Sequence, residues 1–148
     1  MHLIPMRLTT FTDFSLRMLI HIALKPQGRA TIAEVAQAYG ISENHLMKVA
    51  HLLGQAGYVT TLRGRGGGLV LARPATDITV GEVVRRIEPD LALVPCFAKG
   101  DCVILPACRL KHALHAAREA FLAVLDATTL ADIAVPDAEL RGLLGIAA

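Results

Sequence analysis

A chain of 148 residues, 53% hydrophobic but only 4% aromatic and without Trp, is long enough for one compact domain or a domain with a short appendage. Its core must be built from aliphatic side chains and Ala, a balance that favours helices; no apolar run is long enough to span a bilayer and the first seven residues lack the basic-then-apolar order of a secretion signal, so the expectation is a cytoplasmic protein with no membrane partner. The net charge of +2 is uneven, with eight Lys/Arg against three Asp/Glu in residues 1–73 and seven against ten in residues 74–148, so a polyanionic partner is expected at the first half.

Thr10-Phe11-Thr12-Asp13 predicts a helix start capped by Thr10, with Phe14, Met18, Leu19 and Ile22 recurring at helical spacing as far as Leu24, before Pro26 and Gly28. Thr31-Ile32-Ala33-Glu34 predicts a second helix with Ile32, Val35, Ala36 and Tyr39 inward, ended by Gly40. Ser42 predicts a third, with Leu46, Val49, Leu52 and Leu53 inward, ending near Gly57. The period then changes. Tyr58–Leu62 and Leu69–Ala72 read as two strands around Arg63-Gly64-Arg65-Gly66-Gly67-Gly68, a hairpin with a glycine-rich turn. Thr79 and Glu82 cap a short helix through Ile87, and residues 90–107 read as irregular. A long helix follows from about Cys108 to Leu125, with Leu110, Leu114, Ala117, Phe121 and Leu125 as its apolar stripe. Thr129 and Asp132 start a last short turn, and Pro136 opens a weakly specified tail.

The order helix, short turn, helix, hairpin is that of a winged helix-turn-helix: a mainly α fold with a β-hairpin wing. An α-helix fits the major groove, where its outward side chains reach base edges. On the third helix Glu43, Asn44, His45, Lys48 and His51 lie off the apolar face, and Asn44, His45, Lys48 and His51 are the candidate DNA contacts. Arg63 and Arg65 stand on a turn whose glycines let the backbone approach a phosphate or a narrow minor groove. The bland alternative is a solvated helix face and an ordinary turn. Dinucleotide binding fails on spacing, because Leu69 stands at the third fingerprint position and a strand follows rather than a helix. An enzyme is not expected: Ser15 and Ser42 are the only serines, and no carboxylate pair or His–Cys arrangement stands out.

Three cysteines, an odd number, crowd into thirteen residues, which argues against a disulfide framework and for metal or redox chemistry. Cys96, Cys102 and Cys108 are spaced C-x5-C-x5-C, and soft thiolates in one short loop suit zinc, copper or an iron–sulfur cluster. The spacing differs from the C-x2-C of zinc ribbons, and its wider arcs suit a larger inorganic core. Cys108 also falls near the start of the long helix, whose positive dipole end favours an anionic group. Three thiolates leave a fourth position for Asp, Glu, His or a small molecule.

Met6-Arg7-Leu8-Thr9-Thr10-Phe11-Thr12-Asp13, Gly57-Tyr58-Val59-Thr60 leading into the wing, Val80-Gly81-Glu82-Val83-Val84-Arg85, Pro106-Ala107-Cys108-Arg109-Leu110-Lys111 and Thr129-Leu130-Ala131-Asp132 follow one another in this chain. In that order they resemble the Rrf-type family of bacterial winged-helix regulators, most closely its NsrR branch of nitric-oxide-responsive repressors, from Met6 to about Ile133. The resemblance implies a homodimer whose long C-terminal helices pack together. It also implies an iron–sulfur cluster, 4Fe-4S favoured over 2Fe-2S, held by Cys96, Cys102, Cys108 and Asp13 from the other subunit. By position alone Asp13 also reads as a capping residue. The IscR branch carries a His three residues after the last Cys; here that place is Lys111, with His112 one step on. The function implied is repression from an operator with two half-sites, switched when nitric oxide reacts with the cluster. An IscR-type regulator of iron–sulfur status and a winged helix with structural zinc are the alternatives. Residues 1–78 would be the DNA-binding domain, and residues 79–148 the cluster loop and dimerisation helix.

Overall fold

The computed structural model describes residues 6–147, so the expectation for the first five residues lies outside the described residues. Helix α1 (Thr10–Leu24) starts one residue earlier than the sequence pattern indicates. Its cap is Thr9, whose hydroxyl accepts the Thr12 N–H, whereas Thr10 was expected to cap. The reason is distant. Glu88 accepts hydrogen bonds from the Thr9 N–H and the Thr9 hydroxyl, both at 2.7 Å, and from the Thr12 hydroxyl at 2.8 Å. That carboxylate holds Thr9 outside the helix and makes it the cap. Asp13 is thereby released from capping and pairs instead with Arg17, one turn on.

Met18, Leu19, Ile22 and Leu24 turn the apolar face of α1 into the core. Against it pack α2 (Ile32–Tyr39), opened by a reciprocal Thr31–Glu34 capping box, and α3 (Glu43–Gln55), capped by Ser42. Gly40 joins them at φ 67°, a left-handed turn that glycine adopts without a Cβ penalty. The buried face of α3 is Leu46, Val49 and Leu53; Leu52, expected inward, lies at the exposed flank.

The hairpin forms as expected, with β2 (Val59–Leu62) antiparallel to β3 (Gly68–Leu71) and Leu62 opposite Gly68. A third strand, β1 (Arg29–Ala30), adds to the free edge of β3 and gives the order β1-β3-β2. At two residues it is too short to show an alternating pattern.

After the wing come α4 (Val80–Ile87), α5 (Arg109–Asp126), α6 (Leu130–Ile133) and α7 (Asp137–Leu144). Gly81 lets α4 lie against the end of α5: a Cβ there would stand 2.6 Å from the Asp126 backbone nitrogen. Helix α7 replaces the weakly specified tail expected after Pro136, and Arg141 ties it to the Leu24 carbonyl at 2.7 Å. Ile78, Val83 and Leu130 join Met18 and Leu46 in one core, so α4 and α6 share the apolar centre of the winged helix. Helix α5 is different. Only Leu122 is fully buried on it, against Val80 and Val84. Leu114 and Leu125 are half-buried, while Leu110 (62%), Phe121 (47%) and Val124 (66%) stay exposed. No described helix is long and apolar enough to cross a membrane.

Candidate nucleic-acid interface and cysteine loop

On α3, Asn44, Lys48 and His51 are exposed and available to a groove. His45 is placed differently. It is half-buried, and its ring meets Phe11 and Phe14 of α1 edge-on at centroid distances of 5.2 and 4.8 Å. Its backbone N–H donates to the Ser42 hydroxyl, completing the cap. Of the four α3 residues read from the sequence, His45 is therefore the one that couples α3 to α1. Met47, which no sequence signal marks, is exposed on the same outer surface.

Arg63 and Arg65 are exposed on the turn between β2 and β3. The turn is tight enough that a Cβ at Gly67 would lie 2.7 Å from the Gly64 carbonyl oxygen. Two arginines that the sequence analysis did not single out hold the wing. The Arg29 guanidinium on β1 donates to the Gly66 carbonyl, anchoring the tip. Arg73, just beyond β3, pairs with Glu82 of α4 at 2.7 Å. That guanidinium holds the Glu82 carboxyl below the usual carboxylate range. Neither residue carries a periodic signal, and their partners are set only by the fold.

Arg65→Ala is expected to weaken binding to all DNA sequences alike and to lower the salt dependence by about one unit, because a phosphate contact is blind to sequence. Lys48→Ala is expected to cost about 1–3 kcal/mol at one base position. Fluorescence anisotropy on operator variants over a salt series checks both, and wild-type behaviour in both variants would remove this interface.

The three thiols are free. Cys96 and Cys108 are half-buried and Cys102 is exposed. Cys96 lies in a short helical turn, Pro95–Phe97. A second turn, Leu105–Ala107, leads into Cys108, which is the N-cap of α5 and whose sulfur accepts the Lys111 N–H at 3.4 Å. A thiolate there faces the positive end of the helix dipole. Asp13, on α1, pairs with Arg17 at 2.9 Å, and both side chains are nearly half exposed. The Arg17 guanidinium in turn covers the rings of Phe14 and Tyr39, each at 5.7 Å.

Among the described residues no three His, Cys, Asp or Glu side chains stand together as a site for a single ion. The single chain thus presents Cys96, Cys102 and Cys108 on one loop without drawing them to a point, and Asp13 on a separate element. The donor chemistry nonetheless suits a thiolate-held inorganic group: three free thiols, two of them half-buried at the ends of an exposed loop that includes Gly100.

The family model Rrf2, described as an iron-dependent transcriptional regulator, matches residues 8–136. An HTH-type transcriptional regulator NsrR of Geobacillus kaustophilus is 49% identical over 142 residues, covering 94% of this chain and 97% of that protein. The HTH-type transcriptional regulator NsrR of Bacillus subtilis is 50% identical over the same length, with the same coverage. Among solved structures, T. potens IscR superposes with a TM-score of 0.72 at 27% identity, over 92% of this chain and 90% of that one.

Proposed function

Because the chain belongs to the Rrf2 family of transcriptional regulators, we propose that it is an operator-binding repressor that senses nitric oxide through an iron–sulfur cluster. The cluster is four-iron, and the working unit is a homodimer. Residues 1–78 read the DNA, and residues 79–148 carry the cluster-binding loop and the dimer contact. One observation carries the proposal: exposed recognition and wing residues occur in the same fold as three free thiols on one loop, the last of which caps α5.

Cys96, Cys102 and Cys108 of one subunit would hold the cluster, with Asp13 of the other as the remaining ligand. When bound, the cluster supplies iron with high affinity for nitric oxide. What the chain itself contributes is a mechanical link. Asp13 stands in the same helix as Phe11 and Phe14, and both rings pack on His45 of α3. The position in which Asp13 is held is therefore passed to the recognition helix through packed rings. In a dimer this sets the spacing of two recognition helices, which half-sites about one turn apart demand. Held and released Asp13 are the two states that such a switch requires.

The visible absorption spectrum of protein purified without oxygen tests the proposal directly. A brown protein is expected; a colourless one containing zinc would overturn it in favour of a structural metal site. Asp13→Ala is expected to leave a folded dimer, since the Asp13–Arg17 pair is exposed and worth about 0–1 kcal/mol. Its cluster should show an altered spectrum and be lost faster. An unchanged spectrum and nitric-oxide reaction would reduce Asp13 to a partner of Arg17 and pass the role to His112, exposed in the first turns of α5.

A further inference from the structure

One side chain fastens the arm that carries Cys96 to the long helix. The guanidinium of Arg118, on α5, lies over the Phe97 ring at 4.8 Å from its centroid. It donates to the Leu91 carbonyl at 3.5 Å, to His115 Nδ1 at 3.1 Å and to the carboxylate of its neighbour Glu119 at 3.5 Å. The His115 ring itself meets Phe97 edge-on at 6.2 Å. Both ends of the 91–97 segment are thus gathered on Arg118, and Cys96 is the immediate neighbour of the ring it covers. The Arg118 side chain is only 23% exposed, on a helix with a single fully buried residue. Its Nε is buried without a hydrogen-bond partner. Burying a guanidinium carries a desolvation cost, which the Leu91 carbonyl, the Phe97 ring and the Glu119 carboxylate offset. Lying over a ring while bonding a carbonyl, an imidazole and a carboxylate suits the guanidinium, with its fork of donors, better than the lysine ammonium.

Cys108 caps the same helix, ten residues before Arg118 and about 15 Å away along the axis. Two of the three thiols are therefore referred to one rigid element, and Cys102 lies on the exposed stretch between them. We infer that Arg118 is the positioning residue of the thiol site. It holds the Cys96 arm on α5 in the protein without its inorganic group. The inference rests on the proposed function for the nature of that group; the clamping itself is a property of the bare chain. Holding first ligands in place before binding is what makes an outer residue matter to metal retention.

The test uses the full-length protein freed of any bound group, alkylated with iodoacetamide, with each cysteine followed by peptide mass spectrometry. Arg118→Ala is expected to speed alkylation of Cys96 several-fold and leave Cys102, already exposed, unchanged. Arg118→Lys should rescue only in part, because it restores the charge without the guanidinium's fork of donors. Phe97→Leu, which removes the ring and keeps the arginine, should reproduce the Cys96 effect. In cluster-loaded Arg118→Ala, loss to a chelator should be about 10-fold faster, with the shape of the absorption spectrum retained because Arg118 is not a ligand. An unchanged Cys96 rate in both Arg118→Ala and Phe97→Leu overturns the inference, as does equal acceleration at all three cysteines, the mark of general loosening. A colourless wild-type protein with selective Cys96 acceleration would overturn the iron–sulfur proposal and leave the clamp standing. A brown protein with an unchanged rate would do the reverse.

Discussion

Cys102→Ala is expected to give a folded, colourless protein whose operator binding no longer responds to nitric oxide. Cys102 is exposed and free, and surface substitutions of that kind shift stability by about 0.5 kcal/mol or less. The fold should therefore be untouched while the proposed ligand set falls from three thiolates to two. Cys96→Ala and Cys108→Ala should lose the cluster as well. They are less clean, because Cys96 neighbours the Phe97–Arg118 contact and Cys108 caps α5. Iron and sulfide analysis of the anaerobically purified variant checks the expectation. Full iron and sulfide content in Cys102→Ala would remove the three-thiol assignment.

Phe121→Asp is expected to split the proposed dimer and with it abolish tight operator binding. The single subunit leaves Leu110, Phe121 and Val124 exposed on α5, because its inward contact is made by Leu122 against Val80 and Val84. A second copy packed on that stripe would bury Phe121, and an unpaired carboxylate in its place would cost several kcal/mol. Within the subunit Phe121 is 47% exposed, so the variant monomer should fold and melt as a cooperative unit. Light scattering at micromolar concentration, with circular dichroism as the fold control, reads both. A variant that stays dimeric would place the dimer contact elsewhere than on α5.

The parts legible in the sequence are those whose signals are local. The capping boxes Thr31–Glu34, Thr79–Glu82 and Thr129–Asp132 each close within one turn, and all three form. The hairpin was legible from its change of period and its glycines. What was not legible depends on partners far along the chain. Thr9 rather than Thr10 caps α1 because Glu88, 79 residues away from Thr9, holds it. Helix α7 follows a proline that reads as a break, and its anchor is the Leu24 carbonyl. Strand β1 exists only because β3 offers it an edge. The face of α5 that packs inward is set by where α4 lies, so the stripe drawn from periodicity includes residues that remain open within one subunit.

The same division runs through the candidate site. Cys96, Cys102 and Cys108 stood out by spacing, and Asn44, Lys48, Arg63 and Arg65 by residue type on recognisable elements. His45 had the right type and helix position, yet its ring is engaged by Phe11 and Phe14, which pattern alone does not foresee. By position Asp13 reads as a capping residue, whereas in the fold Thr9 caps α1 and Asp13 pairs with Arg17. Arg29, Arg73 and Arg118 carry no sequence signal, since each acts through a contact that only the folded chain creates.

The most direct test of nitric-oxide switching takes one cluster-loaded sample and measures its mass in solution and its operator affinity before and after nitric oxide is added, with the absorption spectrum recorded throughout. The expected result is a bleached or altered spectrum, a large fall in operator affinity and an unchanged dimer mass. Operator binding that persists at full strength after the spectrum shows the cluster has reacted would contradict it.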